Sequence, residues 1–347
     1  MTKRSPMLAK VLYRVKADKF MDAYWGRSRL TVLAYHRIND SYAPDFDFYG
    51  PNVSATPEMF ERHLEYIGKN FNVVDLQAVV DFVENGKPLP ARPLLITFDD
   101  GYLDNYEFAF PSLKKYGFPA VIFLMTRGMT NTNERPWWDE CAYYFFHTRK
   151  TSADLPLIGK LEFPTPQERE NVREKLMKQL KLIPEAEKRA SLDKLQHVLE
   201  VPSPSMNGQI FMNWEQVREL VANGITCQPH TVNHPILTRI SETQVYEEIK
   251  QSRDHIQQET GQDIVAFAYP NGRVADYNQA ALNALREYGY KVAFTLTSGP
   301  MPNGDVKKHP LEIRRVYLGR RDNFEVFVMK AMGASAFGEP PAYVEAK

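Results

Sequence analysis

Three observations predict an α/β fold whose mainly parallel sheet closes as a barrel of seven or eight strands. Short runs rich in valine, isoleucine, leucine and phenylalanine recur along the 347 residues with helix-forming stretches between them, the alternation that βαβ units require. The longest apolar run, around Ala120-Val-Ile-Phe-Leu-Met125, has strand length and is far short of the roughly 18 residues that cross a bilayer. The composition, 43% hydrophobic and 25% charged, is that of a globular chain with material for a large core.

From the N-terminus, residues 1–29 place Met7, Leu8, Val11, Leu12 and Val15 at helical spacing with Lys10, Arg14, Lys16 and Lys19 among them, which predicts an amphipathic basic helix. Such a helix either packs on its own domain or lies on an anionic membrane surface. It lacks the apolar stretch and small-residue cleavage site of a secretory signal, so the expected location is cytoplasmic, with peripheral membrane contact through this helix. The barrel domain is expected over 30–320, with strands at 30–35, 72–74, 94–98, 121–124, 225–228, 264–269, 292–296 and 313–318. Thr56 and Pro57 open a helix with an N-cap and a proline at its first position, and Asn213 caps another that Gly224 stops. About 80 residues, 130–208, follow the fourth strand where a crossover needs one helix, so this stretch reads as an insertion. Within it Thr165-Pro-Gln-Glu168 is a capping box. Val172, Leu176 and Leu180, then Leu192, Leu195 and Leu199, mark two helices that form a hairpin over one end of the barrel. Residues 321–347 read as a C-terminal tail.

Lysine plus arginine (43) balances aspartate plus glutamate (43), so no net field draws a polyanion and no nucleic-acid partner is expected. Cys141 and Cys227 stand far apart and outside any CxxC spacing, which argues against a disulfide framework or a thiolate metal site.

The chemistry gathers at predicted strand ends, where barrels and α/β sheets place their sites. The run Leu94-Leu-Ile-Thr-Phe98 stops at Asp99-Asp100-Gly101, a carboxylate pair that also suits an ordinary turn. His230-Thr-Val-Asn-His234 follows the 225–228 strand, and two histidines four apart can converge on one ion if the loop turns helically. With eight histidines in the chain that spacing is weak by itself; its position on the same rim as the aspartates gives it weight. Two histidines and one carboxylate make a metal triad of the catalytic type and leave the second carboxylate to act as a base. Phe267-Ala-Tyr-Pro-Asn-Gly272 ends a third strand, where Pro270 and Gly272 form either a plain turn or one that aims N–H groups at the rim.

In combination and order, Thr97-Phe-Asp-Asp-Gly101, His230-Thr-Val-Asn-His234 and the Tyr269-Pro270 turn resemble the polysaccharide deacetylase family, also called NodB-homology or carbohydrate esterase 4, over about residues 30–320. Leu33-Ala-Tyr-His-Arg37 resembles branches of the family that act on N-acetylglucosamine polymers or surface glycans. The resemblance implies a distorted (β/α)7–8 barrel of the NodB type with the helical insertion after its fourth strand. It implies one divalent metal, zinc with cobalt or nickel as alternatives. The implied activity removes N-acetyl groups from an amino sugar in a polysaccharide, oligosaccharide or surface-glycan precursor. Carried across by motif, Asp99 is the general base and Asp100, His230 and His234 are the metal ligands. Tyr269 and Asn271 then lie at the substrate, with the backbone N–H of Asn271 facing the oxyanion.

The chain departs from the family pattern in three places. An arginine two residues before the proline and a tyrosine after it are common in the family, but Ala268 and Asn271 stand here. Arg314 or Arg315, on the last strand, either supplies the missing charge to Asp99 or makes a surface salt bridge. The general-acid histidine of a late leucine motif has no secure counterpart, since His309-Pro-Leu311 has the wrong order. His36, directly after the first strand, is the positional candidate, with a packed structural histidine as the alternative. Trp137, Trp138 and Asp139 open the insertion and either form a platform for a sugar ring or anchor the insertion itself. Trp214 reads as core, and His63, His147, His197 and His255 as surface residues without partners. Two other functions use the same residues: hydrolysis of another small C–N bond such as a formamide, or glycan binding without turnover. The complete Asp-Asp-His-His set argues against the latter, because a binding module needs no base beside a metal.

Overall fold

A computed structural model describes residues 28–204 and 208–333. A strand stands at each of the eight expected places. These are β1 (Arg29–Tyr35), β2 (Asn72–Val73), β3 (Pro93–Asp100), β4 (Val121–Leu124), β5 (Thr226–Pro229), β6 (Ala266–Ala268), β7 (Val292–Ser298) and β8 (Ile313–Tyr317). They pair in parallel in the order β6-β7-β8-β1-β3-β4-β5, with β2 beside the start of β3, and the sheet curls into a nearly closed barrel. The two ends of that order, β5 and β6, share no backbone ladder. Gln228 bridges them: its buried amide accepts the N–H groups of Val265 and Ala266 at 2.9 Å each and donates to the Asp263 carbonyl at 3.0 Å. Strand β6 starts at Ala266, two residues later than expected.

Alternate residues of a strand face one side, so each strand contributes every second residue to the barrel interior. Leu30 and Val32, Leu95, Val121 and Phe123, Ala266 and Ala268, Val292 and Phe294, and Ile313 form one buried apolar cluster. The same parity, followed toward the carboxyl ends, reaches His36 after β1, Thr97 and Asp99 on β3, and Arg315 on β8. The interior thus changes from hydrocarbon to titratable groups in its last layer.

In chain order the helices among the described residues include α1 (Pro57–Asn70), α2 (Leu76–Glu84), α3 (Phe110–Tyr116), α4 (Thr126–Thr130), α5 (Trp137–His147) and α6 (Pro166–Leu180). They continue with α7 (Glu185–Leu199), α8 (Trp214–Ala222), α9 (Glu242–Thr260), α10 (Gln279–Glu287), α11 (Asn303–Lys308) and α12 (Phe324–Ala331). Thr56 and Asn213 cap α1 and α8 as their sequences require, Asn213 within a full capping box. Trp214 is half-buried, its indole N–H donating to Thr130 Oγ1 at 3.3 Å. Helix α12 lies in the stretch read as a tail. Its Val326, Phe327 and Val328 are buried, because six apolar residues in eight give it a face that needs cover.

That cover corrects the reading of His63. It lies on the apolar stripe of α1 with Phe60, Leu64 and Ile67, buried, with its ring stacked on Phe327 at 3.7 Å and its Nδ1 3.2 Å from the Tyr35 hydroxyl. Burial, aided by the nearby Arg62 charge, pushes its pKa down to about 3. The other three also have partners: His147 meets Asp47 at 3.0 Å, His197 the Asp193 carbonyl at 2.6 Å, and His255 the Thr126 hydroxyl at 3.1 Å.

The chain divides into two compact units. One holds the barrel; the other comprises Ser41–Pro51 and Asn133–Ile210. The second unit has the expected helices α6, opened by its capping box, and α7, and adds α5 and a hairpin of Ser152–Leu155 with Gly159–Glu162. Both additions were silent in the sequence: α5 is an aromatic run with low helix propensity and no side-chain cap, and the hairpin is largely exposed. Helix α5 packs on α6 and α7. This use of α5 corrects the sugar-platform reading. Trp138 is buried, Trp137 carries the Lys188 ammonium over its ring at 4.8 Å, and the buried Asp139 carboxylate accepts the Tyr49 N–H at 2.8 Å. These three residues tie the second unit together. The amphipathic helix expected over 1–29 lies outside the described residues but for its last two positions. No helix of the described residues is long and apolar enough to cross a membrane.

Candidate active site

Two motifs and two single residues meet at the carboxyl ends of β1, β3, β5 and β8. Adjacent residues of a strand normally face opposite sides, yet Asp99 and Asp100 both serve this site. The left-handed backbone at Asp100 (φ 75°) and Gly101 (φ 81°) ends the strand alternation and turns the second carboxylate toward the histidine loop. Thr231 (φ 67°), His234 (φ 57°) and Asn271 (φ 57°) are left-handed as well. Non-glycine residues in this region cost of order 1–3 kcal/mol each and persist where the surroundings hold them, which is common at functional sites.

Asp100 Oδ1 stands 3.7 Å from His230 Nε2 and 3.6 Å from His234 Nε2. The three donor atoms lie within 4.8 Å of one another. These separations are too long for hydrogen bonds. They are close to the roughly 3.4 Å that separates donors each about 2.1 Å from one tetrahedral ion. The donor chemistry fits too: burial lowers the pKa of His230 and keeps its imidazole neutral, and its Nδ1–H donates to the Ala268 carbonyl at 2.7 Å, aiming Nε2 at Asp100. One carboxylate and two imidazoles suit zinc and leave positions open for water and substrate.

Asp99 is fully buried and bound by Arg315 through two parallel bonds, Nη1 to Oδ1 and Nη2 to Oδ2, each 2.7 Å. Arg315 is itself fixed, its Nε donating to the Thr295 carbonyl at 2.9 Å and Nη1 to Thr97 Oγ1 at 3.2 Å. Burial alone pushes the Asp99 carboxyl up. The Arg315 guanidinium overcomes this and holds the group well below the usual carboxylate range, so it is ionised at neutral pH. Parity separates the two arginine candidates: Arg315 shares the inward face with Ile313, while Arg314 faces the other way and donates to the Pro300 carbonyl at 3.3 Å.

His36 Nε2 lies 3.9 Å from Asp99 Oδ2, with its ring edge-on to Tyr317. Its backbone is clamped, N–H to Ser54 Oγ at 2.9 Å and carbonyl to Asn105 Nδ2 at 2.7 Å. Tyr269 does not reach the site. Its ring is buried against Tyr277, its hydroxyl donates to the Leu311 carbonyl at 2.9 Å, and its N–H goes to Phe294. Position 269 shares the face of Phe267, its ring 5.4 Å away, opposite to the inward-facing Ala266 and Ala268, so the ring packs on the outer side of the sheet. Asn271 sits in the turn beyond it, where Gly272 (φ 65°) comes so close to β7 that a Cβ would stand 2.7 Å from Leu296 N.

The profile of the polysaccharide deacetylase family matches residues 86–179 and 188–293. This chain belongs to that family. Both motifs fall in the match, whereas His36 and Arg315 lie outside it. Over 320 residues the chain is 24% identical to YxkH of Bacillus subtilis (strain 168), covering 92% of this chain and 77% of that one. Over 97 residues it is 31% identical to the poly-beta-1,6-N-acetyl-D-glucosamine N-deacetylase of Escherichia coli (strain K12), an overlap of 28% of this chain and 14% of that enzyme. Among solved structures, the Streptococcus pyogenes deacetylase PplD superposes with a TM-score of 0.59 at 19% identity over 88% of this chain and 99% of its own. IcaB from Ammonifex degensii gives 0.57 at 20% identity over 88% and 98%. These likenesses establish the deacetylase barrel as the fold.

Proposed function

We propose that this family member is a metal-dependent N-deacetylase acting on an N-acetylated amino sugar in a polysaccharide, oligosaccharide or surface-glycan precursor. The observation that carries the reading is the Asp100–His230–His234 donor cluster with an arginine-held carboxylate, Asp99, beside it. The partial match to poly-N-acetylglucosamine deacetylases supports the sugar. Asp100, His230 and His234 would hold zinc, which when bound polarises an acetamide carbonyl and lowers the pKa of water. Asp99, kept ionised by Arg315, takes a proton from the attacking water. The backbone N–H of Asn271 faces the oxygen that becomes negative, and His36 gives a proton to the departing amine.

The test is acetate release from N-acetylglucosamine oligomers by protein purified without chelator, supplied with zinc and analysed for metal. About one zinc per chain, absent from His230→Ala, together with acetate release is expected. Asp99→Asn should keep its zinc and lose on the order of a hundredfold or more in turnover. A folded wild-type chain that takes up no zinc, or an unchanged rate in Asp99→Asn, overturns the mechanism.

A further inference from the structure

Two metal-ligand candidates sit at the ends of one short loop whose backbone is strained, so something must hold it. Thr231 and His234 both have left-handed backbones, and threonine, being β-branched, is among the residues least suited to that region. The backbone groups of this loop are met one by one. Thr231 Oγ1 donates to the His230 carbonyl at 2.5 Å and accepts the His234 N–H at 2.9 Å. The carbonyls of Thr231 and Val232 accept the N–H groups of Thr126 at 3.1 Å and Arg127 at 3.0 Å, from the start of α4. The two remaining central N–H groups, those of Val232 and Asn233, both go to one side chain outside the loop. Glu248 Oε2, on α9, accepts them at 2.8 and 3.0 Å, and its Oε1 accepts Asn233 Nδ2 at 2.6 Å. All the side-chain hydrogen bonds of Glu248 among the described residues go to this loop.

We propose that Glu248 is a positioning residue for the metal site, its carboxylate holding the His230–His234 loop in the strained form that brings both imidazoles to Asp100. The proposal rests on the metal reading of that cluster. Two N–H groups on one carboxylate oxygen fix the turn between the ligands. Without it the two amides turn to water, the left-handed residues relax, and the ligands are no longer arranged before the ion arrives. Outer-shell partners of this kind typically change metal affinity by about 10–100-fold.

The experiment measures zinc binding to the metal-free full chain by competition with a chromophoric chelator, alongside the melting temperature of each metal-free variant. Glu248→Ala is expected to bind zinc about 10–100-fold more weakly than wild type, mainly through faster release. Glu248→Gln keeps an oxygen that accepts both amides and should stay within about fivefold of wild type. Should Glu248→Ala fail to fold, Glu248→Asp, one methylene short of the amides, carries the same expected loss. Wild-type zinc affinity in folded Glu248→Ala overturns this inference and leaves the metal site standing. Equal weakening in Glu248→Ala and Glu248→Gln also overturns it, by assigning the effect to charge. A wild-type chain without zinc affinity overturns the metal reading and this inference with it.

Discussion

Replacing Arg315 by methionine removes the positive partner of Asp99 while keeping most of the volume of the side chain. In the folded protein both groups are out of water and joined by two 2.7 Å bonds, so the variant leaves a buried carboxylate with no counter-charge. Breaking one side of such a pair costs about 3–5 kcal/mol. For a barrel unit of this size that is roughly 6–10 °C in melting temperature at neutral pH. The sign follows from the direction of the Asp99 shift. Its carboxyl is held below its unfolded value, so the pair stabilises the fold above the ordinary carboxylate pKa and that contribution is lost as pH falls through the folded value. In Arg315→Met only burial acts strongly, the carboxyl moves above its ordinary range, and the acid limb of the rate profile shifts to higher pH. Arg315→Lys restores charge without the two-pronged geometry and should fall between the two. The double variant Asp99→Asn/Arg315→Met removes the stranded charge and should recover at least about 2 kcal/mol relative to Arg315→Met. The assays are thermal melts of the four proteins and the pH dependence of acetate release for those that keep Asp99. An Arg315→Met protein that melts within about 1 °C of wild type, with an unmoved acid limb, refutes the account of Asp99.

Two further outcomes follow from features away from the metal. His63 is neutral in the fold, with its pKa near 3, but titrates near 6.5 once unfolded. The unfolded state therefore binds the extra proton, and stability falls as pH drops from about 6.5 toward 3, by about 2 kcal/mol at pH 5; denaturant midpoints against pH should be flatter in that range for His63→Gln. Gly272→Ala places a Cβ against the backbone of β7 in a left-handed turn, so it should lose more than about 1 kcal/mol of stability and much of the activity. A fully active, wild-type-stable Gly272→Ala would remove the turn beside Asn271 from the proposed site.

The strands were legible because each is a short apolar run with a turn signal at its end. The base and ligand candidates were legible because they stand in two compact motifs, each within five residues of sequence. Arg315 was half legible: the Ile313–Arg315 parity points it inward, but nothing local tells that Asp99 lies opposite, 216 positions away. Glu248 and Gln228 gave no signal, being ordinary polar residues whose role consists of the N–H groups they meet. Helix α5 was missed because its aromatic run satisfies neither helical propensity nor alternation, and Tyr269 was misplaced because its motif neighbours the site while its ring packs on the outer side of the sheet.

The amino-acid sequence by itself determined the periodicities and the motif chemistry: which residues alternate into an interior, where strands stop, and which carboxylates and imidazoles stand together. The tertiary structure alone decided the partners. A strand sequence specifies which side a residue faces, not what stands across the barrel. Closing the sheet brings β8 to β1 and β1 to β3, and only then do Arg315, His36 and Asp99 share one low-dielectric layer in which their charges matter to one another.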